Sequence, residues 1–452
     1  MDKPLTLEGR WWRPTAPDVQ LDGRLEYVPG ENIRLRLSGS FDAPMSTNLE
    51  QGVIIHGRTF QGFATLLDCD AISRTTAGSG LAAVEYIVST ILKGRLVPNP
   101  SEFDFKFVSV EFSNLVDWVA APPMGFTFTP DGHGAISWDQ RPPETLLESA
   151  GLKIGINLSY PREGPMTKSV TLMRRAHVEL EYGSAQRLVK LWPTLTALQF
   201  FFSVAQNFPV LPTELTLYPS RPNHKNPESL LEGIQVYQLY SNLGQGPSSH
   251  NDFLFKFPAV KGNIAQLLQT WFDNAEKLNP VLGLFFWGAT AGESPIESQF
   301  LTVTQAIEAY HRRIHGGLDL SDGAHSDRLT AILASSPDQH RGWLKEKLRF
   351  SNELSLRKRL RNLLEVFPFF MQLVHADPNG FISKVVDTRN YLTHYSEGAQ
   401  GQIVRGRDLL ILTDKLRALL LCCLLEGMGM ACDKIKAFVT ANRKMAILCQ
   451  RN

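Results

Sequence analysis

The chain has 452 residues, room for two or three domains of roughly 150 residues each. With 43% hydrophobic and 20% charged residues it has the composition of a soluble globular protein, and its net charge of +1 singles out no partner. No apolar signal core follows Met1-Asp2-Lys3-Pro4, and the most apolar run, Leu409 to Ala431, is broken by Asp414, Lys415, Arg417 and Glu426. A bilayer span needs about 20 mostly apolar residues, so a cytoplasmic, non-membrane protein is expected.

The first part reads as antiparallel β. Asp22-Gly23 and Pro29-Gly30 supply turns around Leu25-Glu26-Tyr27, and Ile33-Arg34-Leu35-Arg36-Leu37 alternates with the period of a half-buried strand. Phe103-Asp104-Phe105-Lys106-Phe107 alternates again, and the phase slips at Phe107-Val108 as at a bulge. Val178, Leu180 and Tyr182 alternate with glutamates. Strands of this kind predict a sandwich or open barrel. Leu188, Leu191, Leu195 and Leu198 then take helical spacing despite Pro193, predicting a helix packed on the sheet. Leu215-Thr216-Leu217-Tyr218 is a further strand, and 219–252, rich in Pro, Asn, Ser and Gly, reads as a long surface segment.

From about 295 the period is helical. Three stripes stand out: Phe300/Val303/Ile307/Tyr310, Leu356/Leu360/Leu363/Leu364/Phe367, and Leu409/Leu412/Leu416/Leu419/Leu420/Cys423. They predict an all-helical bundle. Gly288, Gly292 and Pro295 are the breakers near the junction. The fold class is therefore α+β multidomain, with a β-rich domain over 1–290 and an all-α bundle over 291–452.

Charge is unevenly spread. Residues 301–452 carry a net +7 and residues 1–300 a net −6. Such asymmetry points to nucleic-acid or membrane contact in the basic half, or to ordinary variation between domains. The five cysteines, Cys69, Cys422, Cys423, Cys432 and Cys449, form no CxxC, and four lie in one apolar helical region. Buried thiols in a reducing compartment are expected. Nothing resembles a P-loop or GxGxxG, so no nucleotide cofactor is expected.

The segment Asp387-Thr388-Arg389-Asn390-Tyr391-Leu392-Thr393-His394-Tyr395 holds the candidate chemistry. RNA cleavage by the 2′-hydroxyl needs a group that moves protons near neutral pH, which histidine supplies. It also needs a fixed positive charge for the phosphorane oxygens, which arginine supplies. Asn390, beside Arg389, offers an amide to a phosphate oxygen or to the histidine. An Arg-x4-His pair is expected by chance in a chain this rich in both residues. On a regular helix five residues turn through about 500°, leaving Arg389 and His394 about 140° apart. By spacing alone, a capping or packing His394 with a solvated Arg389 reads better than a shared site.

Context changes that reading. Arg389-Asn390-Tyr391-Leu392-Thr393-His394 is similar to the HEPN signature, and Gln305-Ala306-Ile307-Glu308-Ala309-Tyr310-His311-Arg312 resembles the first helix of ApeA-like HEPN modules. Leu354-Ser355-Leu356-Arg357 resembles their middle helix. Leu7-Glu8-Gly9-Arg10-Trp11-Trp12, the stretch from Ile33 to Phe41, and Ile54-Ile55-His56-Gly57-Arg58 resemble the β-rich domain that precedes the HEPN module in ApeA-type anti-phage defence proteins. The resemblance implies a metal-independent endoribonuclease with no cofactor. His394 would be its acid or base and Arg389 its phosphate ligand. It also implies a homodimer with a composite site, RNA (tRNA or another host RNA) as substrate, and a phage-encoded trigger sensed by the β-rich domain. The alternative is a HEPN-type bundle that dimerises and binds nucleic acid or protein without cutting it.

Supporting positions stay open. Glu308 lies three residues before His311 and four before Arg312, so it either faces inward to orient Arg389 or His394, or pairs with Arg312 at the surface. His311 enters with it. Glu308-x-x-His311 is half of a di-metal motif with no second half, and His311/His315 lack a third ligand, so no metal is assigned. Arg357-Lys358-Arg359 with Arg361 forms a basic run largely opposite the Leu360 stripe. Such a run either binds a phosphate backbone or is simply solvated. Tyr391 and Tyr395 either stack a base or fill the core. Trp11, Trp12, His56 and Arg58 are conspicuous in the first domain and form no catalytic arrangement.

Overall fold

The structure is a computed structural model. It describes the chain apart from residues 1–2, 42–48, 77–81, 98, 100–102, 140, 150, 166–167, 224–228, 231, 239–251, 291–293, 396–401 and 451–452. Gly292 therefore lies outside the described residues. The chain forms two compact units, Met1–Gln269 and Thr270–Asn452.

The first unit begins with β1 (Leu5–Arg13), β2 (Ala16–Tyr27), β3 (Ile33–Leu37), β4 (Val53–Thr59), β5 (Gly62–Thr76) and β6 (Ala82–Lys93). They pair antiparallel in the ring β6-β3-β2-β1-β4-β5, and β5 pairs again with β6, so the barrel closes. Closure removes the unpaired strand edges an open sheet would present. Alternation drives it. Leu5, Leu7, Trp11, Leu25, Ile33, Leu35 and Leu37 are buried, while Glu8, Arg10, Arg24 and Arg36 point outward. Trp11 donates its indole N–H to the Gly23 carbonyl at 3.0 Å. A Cβ on Gly57 would lie 2.3 Å from the Trp11 ring, so only glycine fits opposite that tryptophan.

Next come β7 (Asp104–Phe112), α1 (Leu115–Val119), β8 (Gly125–Phe128), β9 (Gly134–Ser137), β10 (Glu144–Ser149), β11 (Leu152–Ser159), β12 (Arg162–Glu163), β13 (Thr171–Leu172), β14 (Arg175–Arg187), α2 (Leu188–Gln206), β15 (Pro212–Tyr218), β16 (Ile234–Gln238) and α3 (Phe257–Val260). Strands β10-β11-β14-β7-β15-β16 continue the sheet from β6, which pairs with β3 through Val84–Val88 and with β16 through Thr90–Lys93. The expected β-rich domain with its packed helix is thus present. Helix α2 buries Leu188, Leu191, Leu195 and Leu198, as their spacing predicts. It has the length and mean hydropathy, 1.3, of a membrane span. Its Phe201 and Phe202 are nonetheless enclosed in the core, with Phe202 5.2 Å from the Phe112 ring.

Two sequence expectations change here. The phase slip at Phe107-Val108 is not a bulge in β7: both residues are buried, because β7 is covered on both faces. Phe112 lies against α2, and Phe107 lies against Tyr218 and Arg221. The irregular pairing lies opposite, in β14 between Glu181 and Gln186. The segment 219–252 is not all surface connection, since Ile234–Gln238 pairs with both β15 and β6.

The second unit is helical. Helix α4 (Ile264–Thr290) enters it and is followed by α5 (Ile296–Tyr310), α6 (Asp322–Ser335), α7 (Asp338–Lys347), α8 (Leu356–Val366), α9 (Phe370–Leu373), α10 (Pro378–His394), α11 (Gly406–Gly427), α12 (Cys432–Ala441) and α13 (Arg443–Gln450). Pro295 caps the start of α5. All three predicted stripes are buried. Helix α11 is buried nearly all round and packs on α5, while α10 packs on α5 and α8. Such a helix belongs at the centre of a bundle. Cys69, Cys422, Cys423 and Cys432 are free thiols, the first three buried.

Candidate functional site

Helix α10 carries the motif, and its sequence defines both ends. Asp377 accepts the Gly380 N–H at 2.6 Å and Pro378 occupies the first turn, the usual chemistry of a helix start. The far end closes at Tyr395, whose φ of 46° lies in the left-handed region. Phe381, Ile382, Val385, Thr388 and Leu392 are buried. Thr388 accepts the Val404 N–H and Asp387 the Gln402 N–H, both at 3.0 Å, tying the incoming strand of chain to the helix.

Arg389 is half-buried at a cleft of about 570 Å³ between α5 and α10. Its Nη2 lies 3.7 Å from Glu308 Oε2, and its Nη1 donates to Asn390 Oδ1 at 3.3 Å. Arg312, Arg313, Gln305 and Thr393 also line the cleft. Arg312 is held by Glu353 at 2.8 Å, and Arg313 has no ion pair among the described residues. Three guanidiniums thus face one carboxylate. The Glu308–Arg389 pair is long and partly exposed, a class worth about 0–1 kcal/mol. An entering anion can therefore displace it cheaply.

His394 is not in that cleft. Helix α10 stays regular through His394, so the side chain lies one residue, about 100°, beyond Thr393 and is exposed to solvent. The awkward angle read from the sequence persists in the folded chain. Within one chain the structure brings together Arg389, Asn390 and Glu308, and leaves His394 on the neighbouring face.

His311 sits elsewhere. Helix α5 widens into one π-helical turn, His311–His315, and His311, four residues after Ile307, continues the buried stripe at 1% exposure. There its Nδ1 accepts a hydrogen bond from Arg359 at 3.0 Å, and Arg359 also donates to the Leu354 carbonyl at 3.0 Å. Burial, with the Arg359 charge next, pushes His311 down to about 4. Its Nε2 has no hydrogen-bond partner. His315 moves the opposite way, raised by its contact with Glu426 at 3.1 Å. The Tyr310 hydroxyl donates to the same carboxylate at 2.7 Å. Among the described residues no group of three His, Cys, Asp or Glu side chains is arranged to hold a metal.

The basic run divides. Arg359 is only 1% exposed and belongs to the core, against the expectation of a solvated face. Its place, three residues after Leu356 and four before Leu363, is on the apolar stripe. Arg357 donates to Ser383 at 3.0 Å and lies 3.8 Å from Asp387, beside α10. Lys358 pairs with Asp319. Arg361 is exposed. Tyr395 is 65% exposed, with its ring 5.6 Å from that of Tyr391, which in turn lies under Arg405 at 4.9 Å.

Sequence reasoning missed Arg313, Gln305 and Thr393 as cleft residues. The signal was available: Thr393 is four residues after Arg389, and Gln305 and Arg312 flank Glu308 at helical spacing. In the first unit, Trp11 and Trp12 are core, and His56 is buried with its Nε2 3.2 Å from the Val97 carbonyl. Arg58 is exposed.

Comparison with known proteins gives two matches. Residues 6–271 match a family model described as ApeA N-terminal domain 1, and residues 301–434 match one described as Apea-like HEPN. Neither a curated protein nor a solved structure matches the chain.

Proposed function

From the premise that this chain belongs to the ApeA-type HEPN family of anti-phage defence proteins, we propose that it is a metal-independent endoribonuclease acting in the cytoplasm of the infected cell. One observation carries the reading. Arg389 stands in a cleft of three guanidiniums and one carboxylate, on the same helix as an exposed histidine.

A scissile phosphate displaces Glu308 and takes the Arg389 guanidinium, with Arg312 and Arg313 on the neighbouring phosphates. The RNA 2′-oxygen attacks phosphorus and the bond to the 5′-oxygen breaks. His394 moves the proton, as base from the 2′-hydroxyl or as acid to the leaving oxygen. The products are a 2′,3′-cyclic phosphate and a 5′-hydroxyl. Arg389 and His394 face different ways on one helix, so the working site is composite: two copies of α10 meet, and Arg389 of one protomer serves the same phosphate as His394 of its partner. Exposed His394, Tyr395 and Asn390 lie on the face that pairing covers. Arg357, Lys358 and Arg361 extend the track for RNA, and a phage-derived signal reaches the protein through the β-rich unit.

The test is expression toxicity and RNA cleavage by wild type, Arg389→Ala and His394→Ala, with and without phage and with a chelator. Cleavage by wild type that survives chelation and is lost in both variants is expected. Cleavage that persists in His394→Ala overturns the assignment. A chain that binds RNA and never cuts it, with phage or without, points instead to a non-catalytic binding module, which the separation of Arg389 from His394 within one chain would then explain.

A further inference from the structure

The outer face of the barrel carries a groove of about 990 Å³ that takes no part in the proposed RNA cleavage. Strand register sets its side chains. Arg58 on β4 stands directly opposite Arg10 on β1, Arg10 opposite Asp22 on β2, and Glu8 opposite Arg24. Toward β6 the charges are balanced: Arg24 pairs with Glu26 at 2.8 Å, and Arg36 pairs with Glu26 and Glu85, both at 3.4 Å.

At the β4 end they are not. Among the described residues Arg10 has only Asp22, at 3.7 Å and with both side chains largely exposed. Arg58 has no acidic partner among the described residues. Like charges directly across an antiparallel pair destabilise the sheet, so this pair costs the free protein something. Two residues on, at the β4–β5 turn, Phe60 is 96% exposed. A bare aromatic ring in the same groove as one unpaired and one weakly paired guanidinium offers a stacking surface and an anion clamp together.

We propose that this end of the groove binds a nucleoside phosphate, with the phosphate between Arg10 and Arg58 and the base stacked on Phe60. The moiety has two sources, a free nucleotide or a single-stranded nucleic acid. The inference does not rest on the ribonuclease reading, because it needs neither Arg389 nor His394.

The test uses the full chain and two probes, AMP and a short single-stranded oligodeoxyadenylate, which has no 2′-hydroxyl to be cut. Affinity is measured by calorimetry or anisotropy for wild type, Arg58→Glu and Phe60→Ala. Each substitution should weaken binding by about tenfold. Loss for AMP assigns a free nucleotide, and loss for the oligomer alone assigns nucleic acid. Arg58→Glu turns the repulsion across from Arg10 into an attraction and Phe60 is almost fully exposed, so neither variant should lower the melting temperature. Should Arg58→Glu misfold, Phe60→Ala decides. The proposal is overturned if neither probe binds wild type, or if both bind and neither barrel substitution changes the affinity.

Discussion

Arg359 and Arg389 lie on helices that touch, and burial separates what they do. Arg359 is enclosed and spends its donors on His311 and the Leu354 carbonyl, so it organises the core around the π-turn. Arg389 keeps one long ion pair and a cleft in front of it. His311 and His394 divide in the same way, and the buried one makes a pH prediction. Folded His311 titrates at about 4 against 6.5 when unfolded. Between those values the unfolded chain takes up a proton that the folded chain refuses, so stability falls as pH drops from 6.5 toward 4. His315 has a raised folded value, so its contribution is full below 6.5 and is lost as pH climbs through that raised value. The two windows do not overlap. His311→Gln keeps an acceptor for Arg359 and cannot titrate. Its melting temperature should therefore fall less than wild type between pH 6.5 and 4.5, with the alkaline side unchanged. An identical acid slope in the two proteins would show that His311 takes its proton freely in the fold.

At the scale of elements, period was legible and partnership was not. The stripes of α5, α8 and α11 and the alternation of β3 follow from apolar spacing, which reports one face of one element. Whether a second face is also covered depends on distant chain, and so β7 looked like a bulged strand when it is a central one. Ile234–Gln238 was lost for the same reason, since five residues between polar stretches become a strand only because β6 and β15 each offer an edge. Arg359 was misplaced by residue type, although its spacing put it on the stripe. The start of the motif helix went unread in the sequence although Asp377-Pro378 carries the signal for one, and that cap can be tested. Asp377→Ala removes the acceptor for the Gly380 N–H and should cost about 1 kcal/mol. Hydrogen exchange should accelerate at the first turn of α10 while α11 stays protected. Unchanged protection there would mean that packing of Phe381 and Ile382 alone holds the helix start.

For the whole molecule, the question is where the second half of the site comes from. Arg389 and Thr393 line the cleft and His394 does not, as the pitch of a regular helix places them. A site confined to one chain needs the Arg389 side chain to reach around α10, or α10 to unwind at its C-terminal end and give up the turn closed by the Tyr395 N–H on the Tyr391 carbonyl at 2.6 Å. A two-fold pairing of chains needs no such change, because the same surface on both copies supplies each group to the other. The two arrangements differ when inactive chains are mixed. On the proposed mechanism, Arg389→Ala and His394→Ala protomers should each be inactive as homodimers in both cases. In a shared site, the heterodimer rebuilds one complete pair from the histidine of one protomer and the arginine of its partner. After subunit exchange in an equimolar mixture, half the dimers are mixed and each holds one working site of two. Cleavage should therefore return to about a quarter of wild type. If each chain carries its own site, the heterodimer holds no intact pair and the mixture stays silent. Restoration that scales with the heterodimer fraction, followed with distinguishable tags on the two variants, would place the catalytic pair across the interface, and silence at full exchange would place it within the chain.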